Sequence, residues 1–128
     1  MKQGCKLFLA FITIILVLAS CSSGKNSSGK IYKKNAVASY YSDKFNGRKT
    51  ANGEKFSNTK LTAAHRTLPF GTKLKITNVA NNESVIVEIN DRGPHKKSRE
   101  IDLSKKAFMD ITDNKNHGTL TVNIELLK

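Results

Sequence analysis

Alternation of apolar and polar residues is the clearest pattern along the chain. In "TLTVNIELL", Thr119 to Leu127, the residues Leu120, Val122, Ile124 and Leu126 face one way and their neighbours the other. That is the two-residue period of a half-buried strand. "KLKITNV", Lys73 to Val79, repeats it, with Leu74 and Ile76 on one face and Lys73, Lys75 and Thr77 on the other. "SVIVEI", Ser84 to Ile89, follows after the turn-rich "ANNE", so the two segments are expected to pair as a hairpin. "AVASYY", Ala36 to Tyr41, is a further short segment that leans to strand.

One segment changes period. "SKKAFMDI", Ser104 to Ile111, sets Ala107, Phe108 and Ile111 at helical spacing behind Ser104, and Asp113-Asn114 end it. Ser104 is a suitable N-cap because its hydroxyl can accept from a free N–H of the first turn. Long loops separate these elements: Ser42 to Lys60, His65 to Thr72 and Asn90 to Glu100. Many short strands with one or two short helices predict a mainly β fold, a compact barrel whose loops carry the function.

The first 20 residues fit neither period. Lys2 and Lys6 precede "LFLAFITIILVL", an apolar run of 12 residues from Leu7 to Leu18. A membrane span needs ~20 apolar residues, so this run reads as a secretory signal. "LASC", Leu18 to Cys21, puts small residues before a cysteine directly after it. That arrangement resembles a bacterial lipobox, which implies lipidation of the Cys21 thiol and cleavage before Cys21. Several acyl chains anchor stably where one alone is marginal. The expected organisation is a signal peptide at residues 1–20, a Gly/Ser-rich tether at 21–31 containing "SSGKNSSGK", and a folded domain at 32–128. The expected location is the cell envelope; Ser22 after the cysteine is compatible with an outer membrane, facing the periplasm.

Charge and cysteine use narrow the partners. Cys5 lies in the leader and Cys21 is lipidated in this reading, so the mature chain has no disulfide to form and holds together by packing. The formal charge is +12. Without Lys2 and Lys6 it is +10, and residues 31–128, which also leave out Lys25 and Lys30, carry +8. An exported basic protein should meet anionic partners, such as lipid head groups, wall phosphates or peptidoglycan carboxylates. Nucleic acid is not expected, since basic and aromatic residues are not interleaved as in RNA-binding modules and there is no Trp.

Three loops carry candidate chemistry, each stiffened by Gly or Pro. In "GRKTANGEKFS", Gly53 can take positive φ in a tight turn from which Glu54 projects. In "LTAAHRTLPFGT", His65 precedes a turn set by Pro69 and Gly71. In "INDRGPHKKSREIDLS", Asp91 ends an apolar strand just before Gly93-Pro94. Taken singly, each reads as readily as structure: a solvated Glu, a core His, an Asp that caps its turn or pairs with an arginine. Asp102 reads as structural, holding its loop or capping the helix. Together, two carboxylates and a histidine suit general acid/base work on a glycosidic bond. His95 and His117 lie in unrelated contexts and no metal-ligand spacing appears, so neither a metal nor a cofactor is expected.

"ASYYSDKFNGRKTANGEKFS", "LTAAHRTLPFGT", "VIVEINDRGPHKKSREIDLS" and the terminal "TVNIELL" together resemble the rare lipoprotein A family, from about Ala36 to Leu127. The resemblance implies a six-stranded double-psi β-barrel with a groove across one face. It also implies an endolytic lytic transglycosylase of peptidoglycan, with functional positions at Glu54, His65 and Asp91. Such an enzyme cleaves the bond between N-acetylmuramic acid and N-acetylglucosamine and leaves 1,6-anhydro ends. In that reading Asp91 is the acid, Glu54 helps keep it protonated, and His65 orients it or stabilises charge. Arg92 is expected to point away, toward Asp102 or anionic groups of the substrate. Tyr41, Thr50, Asn52, Arg92 and His95 are the expected substrate contacts, with Tyr40 and Phe45 as further stacking faces. The basic run Lys96, Lys97 and Arg99 reads equally as a contact for wall polymer or a solvated face. Family members often add a C-terminal SPOR domain for septal targeting; this chain ends at Lys128, straight after the last barrel strand, so that route is not expected. Two rivals stand beside this reading: a non-catalytic, expansin-like polysaccharide-binding lipoprotein, and a hydrolase using Glu54 and Asp91 as an inverting pair. Protein partners are not readable from the residues.

Overall fold

The computed structural model describes residues 29–128. The signal peptide, Cys21 and most of the tether lie outside them. Six strands and one helix follow in order: β1 (Lys30–Tyr40), β2 (Thr62–Ala64), β3 (Lys73–Asn78), β4 (Ser84–Asp91), β5 (Ile101–Leu103), α1 (Lys105–Ile111) and β6 (Leu120–Leu126). They close into a barrel in the order β1-β5-β2-β4-β3-β6. The pairs β1/β5 and β2/β4 are parallel and the other four antiparallel. Closure leaves no free sheet edge to pair with another chain.

The alternating segments behave as their pattern predicts. Leu74 and Ile76 of β3, Val85, Val87 and Ile89 of β4, and Leu120, Val122 and Ile124 of β6 are buried in one core. The expected hairpin forms, with Lys73 opposite Glu88 and Thr77 opposite Ser84, and Asn82 takes φ +62° in its turn. Asn tolerates that conformation better than most residues. In α1, Ala107, Phe108 and Ile111 are buried, and the Ser104 hydroxyl accepts from the Ala107 N–H while donating to the Lys60 carbonyl. The fully buried Phe108 meets the Tyr40 ring at 4.6 Å between centroids. Tyr40 is therefore partly a core contact, and its remaining surface lines the groove described below.

Two departures matter for the site. β1 takes in Lys30 and Ile31, which the sequence assigns to the tether; they pair with Leu126 and Glu125. The strands β2 and β5 have three residues each, too short to carry a period, and the apolar pattern passes over both. They sit side by side in the barrel, Ala64 opposite Asp102, and bring the TAAH and EIDLS segments together.

Candidate active site

The placement of Asp91 begins with the phase of β4. Val85, Val87 and Ile89 point inward, and Asp91 is next in that row, at the strand end. The register between β2 and β4 slips there: Ala63 pairs with Ile89 but Ala64 with Asp91, so Asn90 is an extra residue. A bulge of this kind bends the strand and re-aims the next side chain. Asp91 emerges half-buried into a surface groove. Its Oδ1 accepts from the backbone N–H of Ala51 at 2.8 Å and of Arg92 at 2.9 Å, and its Oδ2 accepts from the Tyr41 hydroxyl at 2.6 Å. Every one of these donors is neutral, and no cation lies within ion-pair distance among the described residues.

The groove encloses about 590 Å³. Ser39, Asp102 and Asp91 lie in it with Thr50, and the aromatic rings of Tyr41, Phe45 and Phe56 form one wall. Tyr41 stacks on Phe56 at 4.3 Å and meets Phe45 edge-on at 5.7 Å. Burial raises the Tyr41 phenol well above the ordinary tyrosine value, helped by the bond to Asp91 and the charges of Asp91 and Asp102. Tyr41 is thus a fixed donor to Asp91 across any working pH. The Ser39 hydroxyl donates to Oδ1 of Asp102. Parallel pairing sets these two residues side by side on β1 and β5. Asp102, read as structural from the sequence, is therefore a second carboxylate of the groove. Gly93 takes φ +133° where the loop passes Asp102, a conformation that favours glycine; a Cβ there would meet Asp102 Oδ2 only at ordinary contact distance, 3.8 Å.

The other expected groups do not converge on Asp91. His65 is buried on β2's far end and its Nε2 lies 2.8 Å from Glu100 Oε2. Its Nδ1 accepts from the N–H groups of Thr67 and Leu68, both at 3.1 Å. The ring proton therefore sits on Nε2 and goes to Glu100. Only the His65 backbone N–H reaches Asp91, at its carbonyl. Lys33 and Arg66 also bond Glu100. Burial raises the Glu100 carboxyl, but the bonds from Lys33 and His65 outweigh this and leave it below the ordinary value. The expected orientation of Asp91 by the His65 side chain is thus corrected: its partner is Glu100.

Glu54 is exposed and faces a neighbouring cleft of about 430 Å³ with Lys60, Thr62, Glu88 and Asn90. Bonds from Asn52 Nδ2 and Asn90 Nδ2 hold its carboxyl below the usual range. Glu54 and Asp91 line different cavities, so the two carboxylates do not flank one cavity as an inverting pair would. Glu54 instead braces the Thr50–Glu54 turn, in which Gly53 takes φ +95°. Asn90 and Asp91 grip that turn from the end of β4, through Glu54 on one side and Ala51 on the other. Asn52 belongs to the brace too, accepting from the Thr50 hydroxyl at 2.6 Å, and does not line the groove.

Arg92 points away from the Asp91 carboxylate, as the sequence reading requires, though not toward Asp102. Its guanidinium donates to the carbonyls of His65 and Leu68 and lies 4.0 Å from the Phe70 ring centroid. Tyr41, Thr50, Arg92 and His95 do line the groove, as does Arg99 of the basic run; Lys96 and Lys97 do not. The sequence reading passes over Lys44, Arg48 and Lys49, which rim the groove. Their only signal is a cluster of cations in a loop that also holds Phe45 and Phe56.

The closed six-stranded barrel and its carboxylate-bearing groove define a double-psi β-barrel protein. A family model described as "Lytic transglycolase" matches residues 33–124, and the chain belongs to that family. The chain is 50% identical over 117 residues to the endolytic peptidoglycan transglycosylase RlpA of Rickettsia typhi, covering 81% of this chain and 36% of that protein. It is 50% identical over 91 residues to the RlpA of Campylobacter jejuni, covering 71% and 33%. The chain thus spans about a third of the length of these relatives. Among solved structures, Streptomyces papain inhibitor superposes with a TM-score of 0.61 at 20% identity, covering 77% of this chain and 97% of the inhibitor. The expansin of Clavibacter michiganensis superposes at 0.58 with 18% identity, covering 74% and 50%. These two share the fold.

Proposed function

We propose that the protein is an endolytic lytic transglycosylase that cleaves peptidoglycan between N-acetylmuramic acid and N-acetylglucosamine. One observation carries the reading: Asp91 stands in an aromatic-walled groove, held by neutral donors, with no cation paired to its carboxyl. The sugar rings lie along Tyr41 and Phe45. Asp91 gives its proton to the leaving glycosidic oxygen as the bond to C1 breaks. Positive charge grows at C1, where Asp102 can stabilise it. The muramyl C6 hydroxyl then attacks C1 and returns its proton to Asp91. The ring closes as a 1,6-anhydro sugar, no water is consumed and the enzyme is restored. Oδ1 takes both backbone N–H groups, so Oδ2, with Tyr41 as its single donor, is the oxygen left to exchange the proton. Identity of about 50% to proteins named peptidoglycan transglycosylases supports the reading.

A second reading, an expansin-like binding module, is favoured by the separation of His65 and Glu54 from Asp91. Digestion of purified sacculi followed by mass spectrometry decides. Anhydro ends support the transglycosylase; reducing ends point to a hydrolase; sacculus binding without soluble product leaves the binding module. Lipidation of Cys21 anchors the domain at the envelope, with the outer membrane as its site in a diderm cell. The lipobox-like LASC and the run before it support this. Metabolic labelling with an alkyne fatty acid should mark the wild type and not Cys21→Ala; equal labelling would rule the anchor out.

A further inference from the structure

The charge of the groove is out of balance. Lys44, Arg48, Lys49, Arg92 and Arg99 line it against only Asp91 and Asp102. Among the described residues none of these five pairs with a carboxylate. Arg92 spends its donors on backbone carbonyls, and Arg99 Nε is buried with no hydrogen-bond partner.

The cations are arranged around the sugar platform. Lys44 Nζ lies 5.4 Å and Arg48 Cζ 5.3 Å from the centre of the Phe45 ring. Phe45 meets Tyr41, and Tyr41 donates to Asp91. The wall therefore runs from acid to aromatic platform to exposed cations. Neutral sugars need the platform alone. Guanidinium and ammonium groups beside it that no carboxylate of the protein takes up are open to anions that the strand carries there.

We propose that Lys44 and Arg48, seconded by Lys49 and Arg99, are specificity residues that read carboxylates borne by the glycan strand. The inference rests on the transglycosylase reading for the strand's identity and deepens it by naming the feature recognised. Two sources share the chemistry: the lactyl carboxylate of the acidic sugar itself, exposed once its peptide is removed, and the carboxylates of an attached peptide.

Binding separates this from catalysis. Asp91→Asn and Asp91→Asn with Lys44→Glu and Arg48→Glu would be titrated with three probes: peptide-free strands, peptide-bearing strands, and chitin oligomers, which carry no carboxylate. The single variant should prefer a carboxylated strand to chitin by about tenfold at low salt, shrinking toward twofold at ~0.5 M salt as screening grows. The added charge reversals should erase that preference while leaving chitin affinity unchanged, a control that the platform still folds. Preference for peptide-free strands over chitin assigns the sugar's own carboxylate. Preference confined to peptide-bearing strands assigns the peptide's. Equal affinity for all three, or a preference that survives the charge reversals, overturns the proposal. Loss of anhydro product by the parent enzyme would instead count against the transglycosylase reading, and the two failures remain distinct.

Discussion

Two acidic clusters lie near the end of β2, one lining the groove and one outside it. On the groove side, Asp91 and Asp102 are held by Tyr41, Ser39 and backbone N–H groups. On the other side, Glu100 gathers His65, Lys33 and Arg66. The second cluster holds the histidine and the ion pairs, and its members satisfy one another. The first holds carboxylates without counter-charge beside an open cavity. A fully partnered cluster fixes a loop; a carboxylate without an ion-pair partner beside substrate space is open to what enters it. The proposed function uses the groove for chemistry and leaves the histidine to packing, although the TAAH and NDRGP segments touch through the His65 N–H and the Asp91 carbonyl.

The hardest test of this division is Asp91→Asn. The amide oxygen can keep the two backbone N–H groups and its NH₂ can meet the Tyr41 hydroxyl oxygen, so the fold should stand. Release of anhydro-muropeptides should fall by about 10²–10⁴-fold, the usual worth of a positioned acid. Undiminished release at an unchanged melting temperature would move the chemistry elsewhere. His65→Ala should do the opposite. It leaves Glu100 Oε2 and the N–H groups of Thr67 and Leu68 without their partner, while Lys33 and Arg66 keep Oε1, at a cost of about 2–4 kcal/mol in denaturant unfolding. Activity per folded molecule should change less than tenfold. A stable but inactive His65→Ala protein would break the comparison.

Why these two clusters look alike in sequence and differ in structure follows from strand geometry. Alternation over β3, β4 and β6 is long enough to predict both element and core face, and Ser104 marks the start of α1. It therefore also predicts that Asp91 leaves the core row at a strand end. Nothing in a three-residue strand such as Thr62–Ala64 or Ile101–Leu103 reveals which strand lies beside it. His65 meets Glu100 and Ser39 meets Asp102 because β5 sits between β1 and β2, a crossing order invisible to local pattern. The polar start of β1, with Asn35 at φ +53° and two register slips against β6, likewise lacks the clean period that would announce a strand. Tyr41 was legible as a candidate stacking face, whereas its bond to Asp91 depends on where the 42–60 loop returns.

Tyr41→Phe sharpens the groove side. It keeps the ring on Phe56 and removes only the donor to Asp91 Oδ2. Turnover should fall about tenfold with little change in KM, because one hydrogen bond to a charged group is lost at the reacting atom. The hydroxyl also has a signature in stability. Its folded pKa lies above the unfolded value, so its contribution is intact below about pH 10, where the unfolded phenol titrates. It is then lost as pH rises further, since the unfolded state binds fewer protons than the folded one. Unfolding by denaturant between about pH 9 and 11 should weaken more steeply for the wild type than for Tyr41→Phe. Parallel slopes would mean that the bond is not made in solution.

The smallest effect is expected at Glu54, and it bears most directly on the division drawn here. If Glu54 only braces the Thr50–Glu54 turn, Glu54→Gln retains an oxygen for Asn52 and Asn90 and changes little. Activity should fall by no more than about threefold, through slight loosening of the Ala51 N–H that Asp91 accepts. Glu54→Ala removes the brace and should cost somewhat more, with the loss in turnover recovered in the Gln variant. Because the Glu54 carboxyl titrates below its unfolded value, its contribution is present above about pH 4.3 and fades as pH falls through the folded pKa. The wild type and Glu54→Gln should thus converge in stability toward pH 3. Should Glu54→Gln be as inactive as Asp91→Asn while folding normally, the two carboxylates act as one unit across the turn. The groove would then extend into the cleft that Glu54 faces, and the acid would have its second partner there in place of Asp102.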